Sequence, residues 1–351
     1  MTSGEPKPGA GSGDRPAILV TGGAGYIGSH CCRALVAAGY QPVVYDNFST
    51  GHRSFVAGPL VVGDLLDKAA LAHAFAQHPI VAVMHFAAAS LVGESVADPR
   101  KYYLNNVVGT LSLLDAMRDA GCGRLVFSST GAVYGNADSR ALPESYACAP
   151  INPYGASKWM IERMVADYRS AYRLQAFCLR YFNASGADAA GGIGELRDHE
   201  THLIPRAMMA LQGHITDFAV FGDDYDTPDG TAIRDYIHVT DLAAAHLLAL
   251  QRLMQGDRGD TFNLGTGAGF SVREILSAIA AETGRQVPHA VKPRRGGDPT
   301  YLVADPTAAR EKLKFQPAHS DLATIVRTAW AWHQQAHPLL ASQRPGALQR
   351  P

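Results

Sequence analysis

The sequence predicts an α/β fold built on a doubly wound parallel sheet, followed by a smaller mixed α/β lobe, and three observations predict it. Short apolar runs alternate with helical patterns through the first half of the chain, the order that builds a parallel sheet covered on both faces. A glycine triplet, Gly22, Gly25 and Gly28, sits where the first strand gives way to the first helix. An acid, Asp46, closes the next strand eighteen residues beyond Gly28. That spacing belongs to a Rossmann-type, dinucleotide-binding βαβ unit.

Taken in order, 17–21 reads as a buried strand and 26–38 as an amphipathic helix stopped at Gly39. A second strand at 42–45 ends at Asp46-Asn47. Further strands are expected at 60–62, 81–86, 124–128 and 176–180, with helices at 67–77, 102–120 and 154–172 between them. Beyond Asn183 a Gly-rich loop at 184–194 opens the smaller lobe. That lobe is expected to hold helices at 202–211, 272–283, 306–313 and 322–336 and a strand at 218–221. The helix 241–253 and strand 261–264 return to the main sheet. The domain reading is therefore 17–183 plus about 233–264 for the dinucleotide, and 184–232 with 265–337 for the substrate. Residues 1–16, Gly/Pro-rich and without an apolar stretch, are expected to be a disordered tail, and 338–351 a polar one.

Composition removes several classes of function. Lys+Arg 31 balances Asp+Glu 32, for a net charge of −1, and no basic run could track a nucleic-acid backbone. Apolar stretches break well before the ~20 residues that a membrane span needs. The start has no apolar core, so no signal peptide is expected. Five scattered cysteines make neither a disulfide framework nor a ligand set, which points to a reducing, cytoplasmic setting. No histidine spacing nominates a metal site; His85, His202 and His238 read as packing groups or hydrogen-bonders.

The chemistry lies in two places. In the first, glycine permits a tight turn and lets backbone approach a pyrophosphate at a helix amino terminus. Asp46 is then placed to accept from adenosine ribose hydroxyls and to repel a 2′-phosphate, which favours NAD over NADP, or else to cap its strand. Asp64-Leu65 could hold adenine or simply turn the chain. In the second, Tyr154 and Lys158 lie one helical turn apart behind Pro153, a good first helical residue. A phenol with a pKa of about 10 is a poor base at neutral pH. A neighbouring ammonium and a positive nicotinamide would both lower it. Ser128-Ser129-Thr130 ends a strand on the carboxyl side of the sheet, where Thr130 could share the proton with a substrate.

At these residues the chain resembles the extended short-chain dehydrogenase/reductase family, in its branch acting at C4 of UDP-sugars. The matching segments run from TGGAGYIG at 21–28 through VVYDNFSTG at 43–51, HFAAASLVGES at 85–95 and YYLNNVVGT at 102–110. They continue with FSSTGAVYG at 127–135, NPYGASK at 152–158, LRYFNASGA at 179–187 and THLIP at 201–205. GTAIRDYIHVTDLA at 230–243 and RRGGDP at 294–299 complete the set, so the likeness covers about 17–337. It implies an NAD-dependent enzyme, working as a homodimer, that interconverts UDP-glucose and UDP-galactose through a 4-ketopyranose, with its NAD+ tightly held. Tyr154 would be the base, Lys158 its pKa-lowering partner, and Thr130 the hydroxyl beside it. The resemblance assigns NAD contacts to Gly22, Gly25, Tyr26, Ile27, Gly28, Asp46 and Asn47. Asp64, Leu65, Phe86, Ala87, Asn106, Tyr154, Lys158 and Tyr181 would contact it too. Thr130, Tyr154, Asn183, His202, Leu203 and Phe221 would line the UDP-sugar site with Arg234, Tyr236, Arg295 and Asp298. Leu302 falls where the family gates the pocket for the sugar 2-substituent. It is smaller than the tyrosine of hexose-restricted forms, which leaves N-acetylated UDP-sugars and UDP-pentoses open. Ser90 and His202 depart from the family's enterobacterial form, which has Lys and Asn there. A nucleotide-sugar 4,6-dehydratase would need an Asp-Glu pair after Thr130, where Gly131-Ala132 stand. The intact Thr130, Tyr154 and Lys158 argue against a non-catalytic NAD-binding protein.

Overall fold

The structure is a computed structural model that describes residues 15–342 except 138, 296 and 297. The expected tail at 1–16 lies outside them apart from Arg15 and Pro16, as do 343–351 of the expected carboxyl tail. Among the described residues seven parallel strands make the main sheet: β1 Ala17–Thr21, β2 Gln41–Asp46, β3 Leu60–Val62, β4 Ile80–His85, β5 Arg124–Thr130, β6 Gln175–Tyr181 and β7 Thr261–Leu264. Their order is β7-β6-β5-β4-β1-β2-β3. The chain reverses direction across the sheet between β1 and β4, and open α/β sheets bind ligands at that reversal, beyond the strands' carboxyl ends.

Helices cover both faces because the strands are apolar on both. On one side α1 (Tyr26–Ala37) packs Cys32 and Leu35 against Ile18 and Val20. On the other, α2 (Lys68–Gln77), α3 (Gly109–Asp119) and α4 (Pro153–Tyr172) bring Leu71, Leu113 and Ile161 onto Leu19, Val43 and Phe127. Burying each such side chain contributes about 1.5–3 kcal/mol. The single helix expected at 102–120 is broken up. A short turn, Pro99–Tyr102, widens into a π-helix over Tyr103–Val108 before α3 begins. Within the widened segment the Asn106 side chain is held at both ends by Ala89, donating to its carbonyl at 3.0 Å and accepting from its amide at 2.8 Å. Periodicity does not report such a tertiary bond.

The second lobe is built around α5 (Leu203–Leu211) and, beyond α6 (Val239–Met254), which packs against α1 on the main sheet, around α7 (Val272–Thr283) and α8 (Leu322–Ser342). α8 runs beyond the expected end at 336, so residues 338–342 are helical. Ile233–Arg234 pairs with Phe270–Ser271 and Tyr301–Ala304, and Tyr236–His238 pairs with Asn183–Ser185. Ser139–Leu142 pairs with Tyr301–Ala304 as well. The buried Asp235 carboxylate accepts from the amides of Thr266 (2.8 Å), Gly267 (3.1 Å) and Ala304 (3.2 Å) and so ties three distant segments together. No described helix is long and apolar enough to cross a membrane.

Candidate active site

The glycine turn is as tight as the triplet implied. Gly22 has φ +71° and donates to the Tyr45 carbonyl at 2.8 Å. A Cβ on it would lie 2.6 Å from the Ala87 nitrogen, and one on Gly28 would lie 2.2 Å from the Gly22 oxygen. Gly25 begins α1 without any capping side chain, so the Tyr26 and Ile27 amides stand at the positive end of the helix dipole. This uncapped turn fits a pyrophosphate. The Tyr26 hydroxyl itself turns away and donates to Gly186 O at 2.6 Å, tying the turn to the second lobe.

Asp46 is buried at the end of β2, and its two oxygens accept from Ala24 N at 3.0 Å and Phe48 N at 2.8 Å. Burial raises its pKa and these amides draw it down. It caps its strand, and carboxylate lone pairs remain for a ribose. Asn47 donates to Asp64 at 2.8 Å, linking the ends of β2 and β3. Leu65 points into the core and Phe86 lies 4.9 Å, ring to ring, from His246. The Ala87 amide donates to Thr21 O. Asn106, fully buried and also bonded to Ser157, supports the 86–91 loop, where the resemblance makes it a cofactor contact.

Thr130, Tyr154, Lys158 and Tyr181 come together at the carboxyl ends of β5 and β6, where Thr130 is in register with Tyr181. Two local features bring Tyr154 there. Asn152 caps α4 by accepting from Gly155 N at 2.8 Å, and Gly155 lets that first turn lie on Ala132, where a Cβ would be 2.5 Å from the carbonyl. The Thr130 hydroxyl lies beside Tyr154 and draws its pKa down, and its Oγ1 accepts from Ala132 N at 3.1 Å. Tyr181 OH lies 2.9 Å from Ser128 Oγ.

One expectation needs correction. Burial raises the Tyr154 pKa, and the groups that pull it back are Thr130 and the charge of Arg197, not Lys158. The Lys158 ammonium instead donates to Ser128 O at 2.9 Å and lies 4.9 Å over the Phe127 ring. Burial brings its own pKa down to about 7, against the opposing charge of Glu162. Sequence spacing places the two groups on one face but cannot weigh their burial. Arg197 and Glu162 were missed for the same reason, since neither belongs to a local chemical pattern.

In the second lobe Arg234 donates to Asp298 at 2.6 Å, the Arg295 guanidinium lies 3.9 Å over the Phe221 ring, and Asp298 N donates to Arg295 O at 3.3 Å. These four form one cationic, partly aromatic cluster. Asn183 donates to Asp235 O at 2.9 Å. Leu203 opens α5, while Tyr236 is buried in the lobe core, which pushes its phenol up to about 12. Leu302 packs, half-buried, with Phe182 against Val133 and Tyr134. His202 pairs with Glu195 at 2.6 Å, which raises its pKa. Among the described residues Glu195, Glu200 and His202 alone could converge on a cation, and Arg197 already pairs with Glu195 at 3.0 Å.

Comparison with known proteins adds three findings. Residues 18–265 match the model of the NAD dependent epimerase/dehydratase family. A curated UDP-glucose 4-epimerase of Rhizobium meliloti (strain 1021) is 51% identical over 319 residues, covering 91% of this chain and 97% of its own. Two solved structures are also similar. The UDP-glucose 4-epimerase from Brucella ovis in complex with NAD is 56% identical with a TM-score of 0.88, over 90% of this chain and 98% of its own. That from Bifidobacterium longum in complex with NAD+ and UDP is 35% identical with a TM-score of 0.85, over 92% and 99%.

Proposed function

The chain belongs to the NAD dependent epimerase/dehydratase family, and from that premise we infer that it interconverts UDP-glucose and UDP-galactose by reversible inversion at C4. The observation that carries this is the meeting of Thr130, Tyr154 and Lys158 on the sheet edge that also holds the glycine turn. NAD, when bound, supplies the oxidising and reducing capacity at C4. Tyr154 takes the proton of the sugar 4-hydroxyl, directly or through Thr130, and gives it back after the 4-ketopyranose has turned about its diphosphate link. Lys158 holds positive charge behind that phenol. The glycine turn and Asp46 hold NAD in preference to NADP, and we expect it to stay bound between turnovers.

Nucleotide anchoring falls to Arg234 and Arg295, whose planar forks suit a diphosphate, with Asp298 orienting the first. Arg234→Met is expected to raise KM for UDP-galactose by about ten- to a hundredfold with kcat much less affected, as loss of a charged hydrogen bond implies. A coupled assay for UDP-glucose reads both constants. The half-buried, branched Leu302 favours a second activity on N-acetylated UDP-sugars. The deciding experiment is purification without added cofactor, an absorbance spectrum, and product analysis with UDP-galactose and UDP-N-acetylgalactosamine. Retained nicotinamide and conversion of UDP-galactose are expected; absence of conversion overturns the reading.

The same reading includes a homodimer in a reducing, cytoplasmic setting. It is supported by exposed apolar side chains at Val96, Val108, Leu111 and Met160, on or beside α3 and α4, and by five unpaired cysteines. Light scattering is expected to return twice the 37.4 kDa chain mass, and a monomer would contradict it.

A further inference from the structure

Beneath the proposed active site lies a buried ionic network that the mechanism above does not use. Glu162, one helical turn beyond Lys158 on α4, is 6% exposed. Its Oε1 accepts from Ser129 Oγ at 2.5 Å and Arg180 Nε at 2.9 Å, and its Oε2 accepts from Arg180 Nη2 at 2.5 Å. Arg180, 4% exposed, also donates to Tyr134 OH at 2.8 Å, and Tyr134 donates to Asn263 at 2.7 Å. The bonds to Ser129 and Arg180 tie α4 to β5 and β6. Ser129 stands between Ser128, whose carbonyl holds Lys158, and Thr130, which adjoins Tyr154.

We propose that Glu162 is a positioning residue of the reaction: clamped by Ser129 and Arg180, it fixes α4 against β5 and supplies the negative charge that keeps Lys158 cationic. This rests on the functional reading above. The groups facing Lys158 leave no other source of that charge among the described residues. On its own helix stands the neutral phenol of Tyr154, which burial keeps from ionising in the absence of ligand. From β4 comes His85, held neutral by burial, with a pKa of about 3. From β6 come the Tyr181 phenol, pushed up by burial, and the cationic Arg180. An apolar framework would serve packing as well as a buried ion pair does, so the charge needs a reason. Holding a lysine protonated in a dry site provides one.

The test uses the full chain carrying Glu162→Gln. Wild-type turnover of UDP-galactose is measured first, and its absence refutes the functional reading rather than this proposal alone. With wild-type turnover present, the variant is expected to lose kcat about tenfold at pH 8. The falling limb of its pH profile should move toward acid by about one unit or more, the effect of losing a nearby opposite charge. KM for UDP-galactose should stay within about twofold, because Glu162 touches no nucleotide. A second readout needs no turnover. A lysine whose folded pKa lies below its unfolded value makes stability rise with pH between the two values. For Lys158 that window opens near 7, and in Glu162→Gln the rise of thermal midpoint with pH should begin about one unit lower. Should the single variant fail to fold around the stranded Arg180, the Glu162→Gln/Arg180→Gln pair removes that cation, and both shifts are expected in the same direction but smaller, because the repulsion of Lys158 by Arg180 is lost with the attraction by Glu162. A folded variant of either kind with wild-type pH profiles for kcat and thermal midpoint overturns the proposal.

Discussion

Replacing Tyr154 by phenylalanine is expected to lower kcat for UDP-galactose by about a thousandfold, within the usual range for loss of a positioned acid–base group. The fold and the retained nicotinamide should be unchanged. The hydroxyl lies beside Thr130, and without it the ring still packs edge-on against Tyr102 at 6.4 Å. The same burial that keeps this phenol protonated without ligand makes it responsive to positive charge placed beside it. Product analysis at fixed nicotinamide content is the measurement, and a variant with activity within tenfold of wild type would remove Tyr154 from the chemistry.

The second large effect is expected from Gly28→Ala. One methyl group would lie 2.2 Å from Gly22 O and 2.9 Å from Gly23 Cα, so the turn must open. Overpacking of this kind costs about 1–3 kcal/mol, and here it also displaces the amides offered to the pyrophosphate. The purified variant should lack nicotinamide absorbance and turn over no UDP-galactose until cofactor is added in excess. Gly93→Ala is the control, since a Cβ there meets nothing within 4 Å. If Gly28→Ala retains nicotinamide as wild type does, the turn does not hold the pyrophosphate.

Much of this protein was legible in its sequence because the signals are local. A glycine that must take φ +71°, an apolar run followed by helical spacing, and a tyrosine and lysine one turn apart each act over a few residues. From them follow the parallel sheet, the tight glycine turn and the placing of Tyr154 and Lys158 on one helix face. Tertiary structure alone decided the rest. Asp235 draws amides from positions 266, 267 and 304 to one carboxylate. Asn106 bonds Ala89 from within a widened helix, and burial raises the Tyr154 pKa against the opposing pull of Thr130 and Arg197. Burial and long-range hydrogen bonds set these outcomes. Both depend on what the folded chain places alongside a group, and that is not encoded in the residues next to it in sequence.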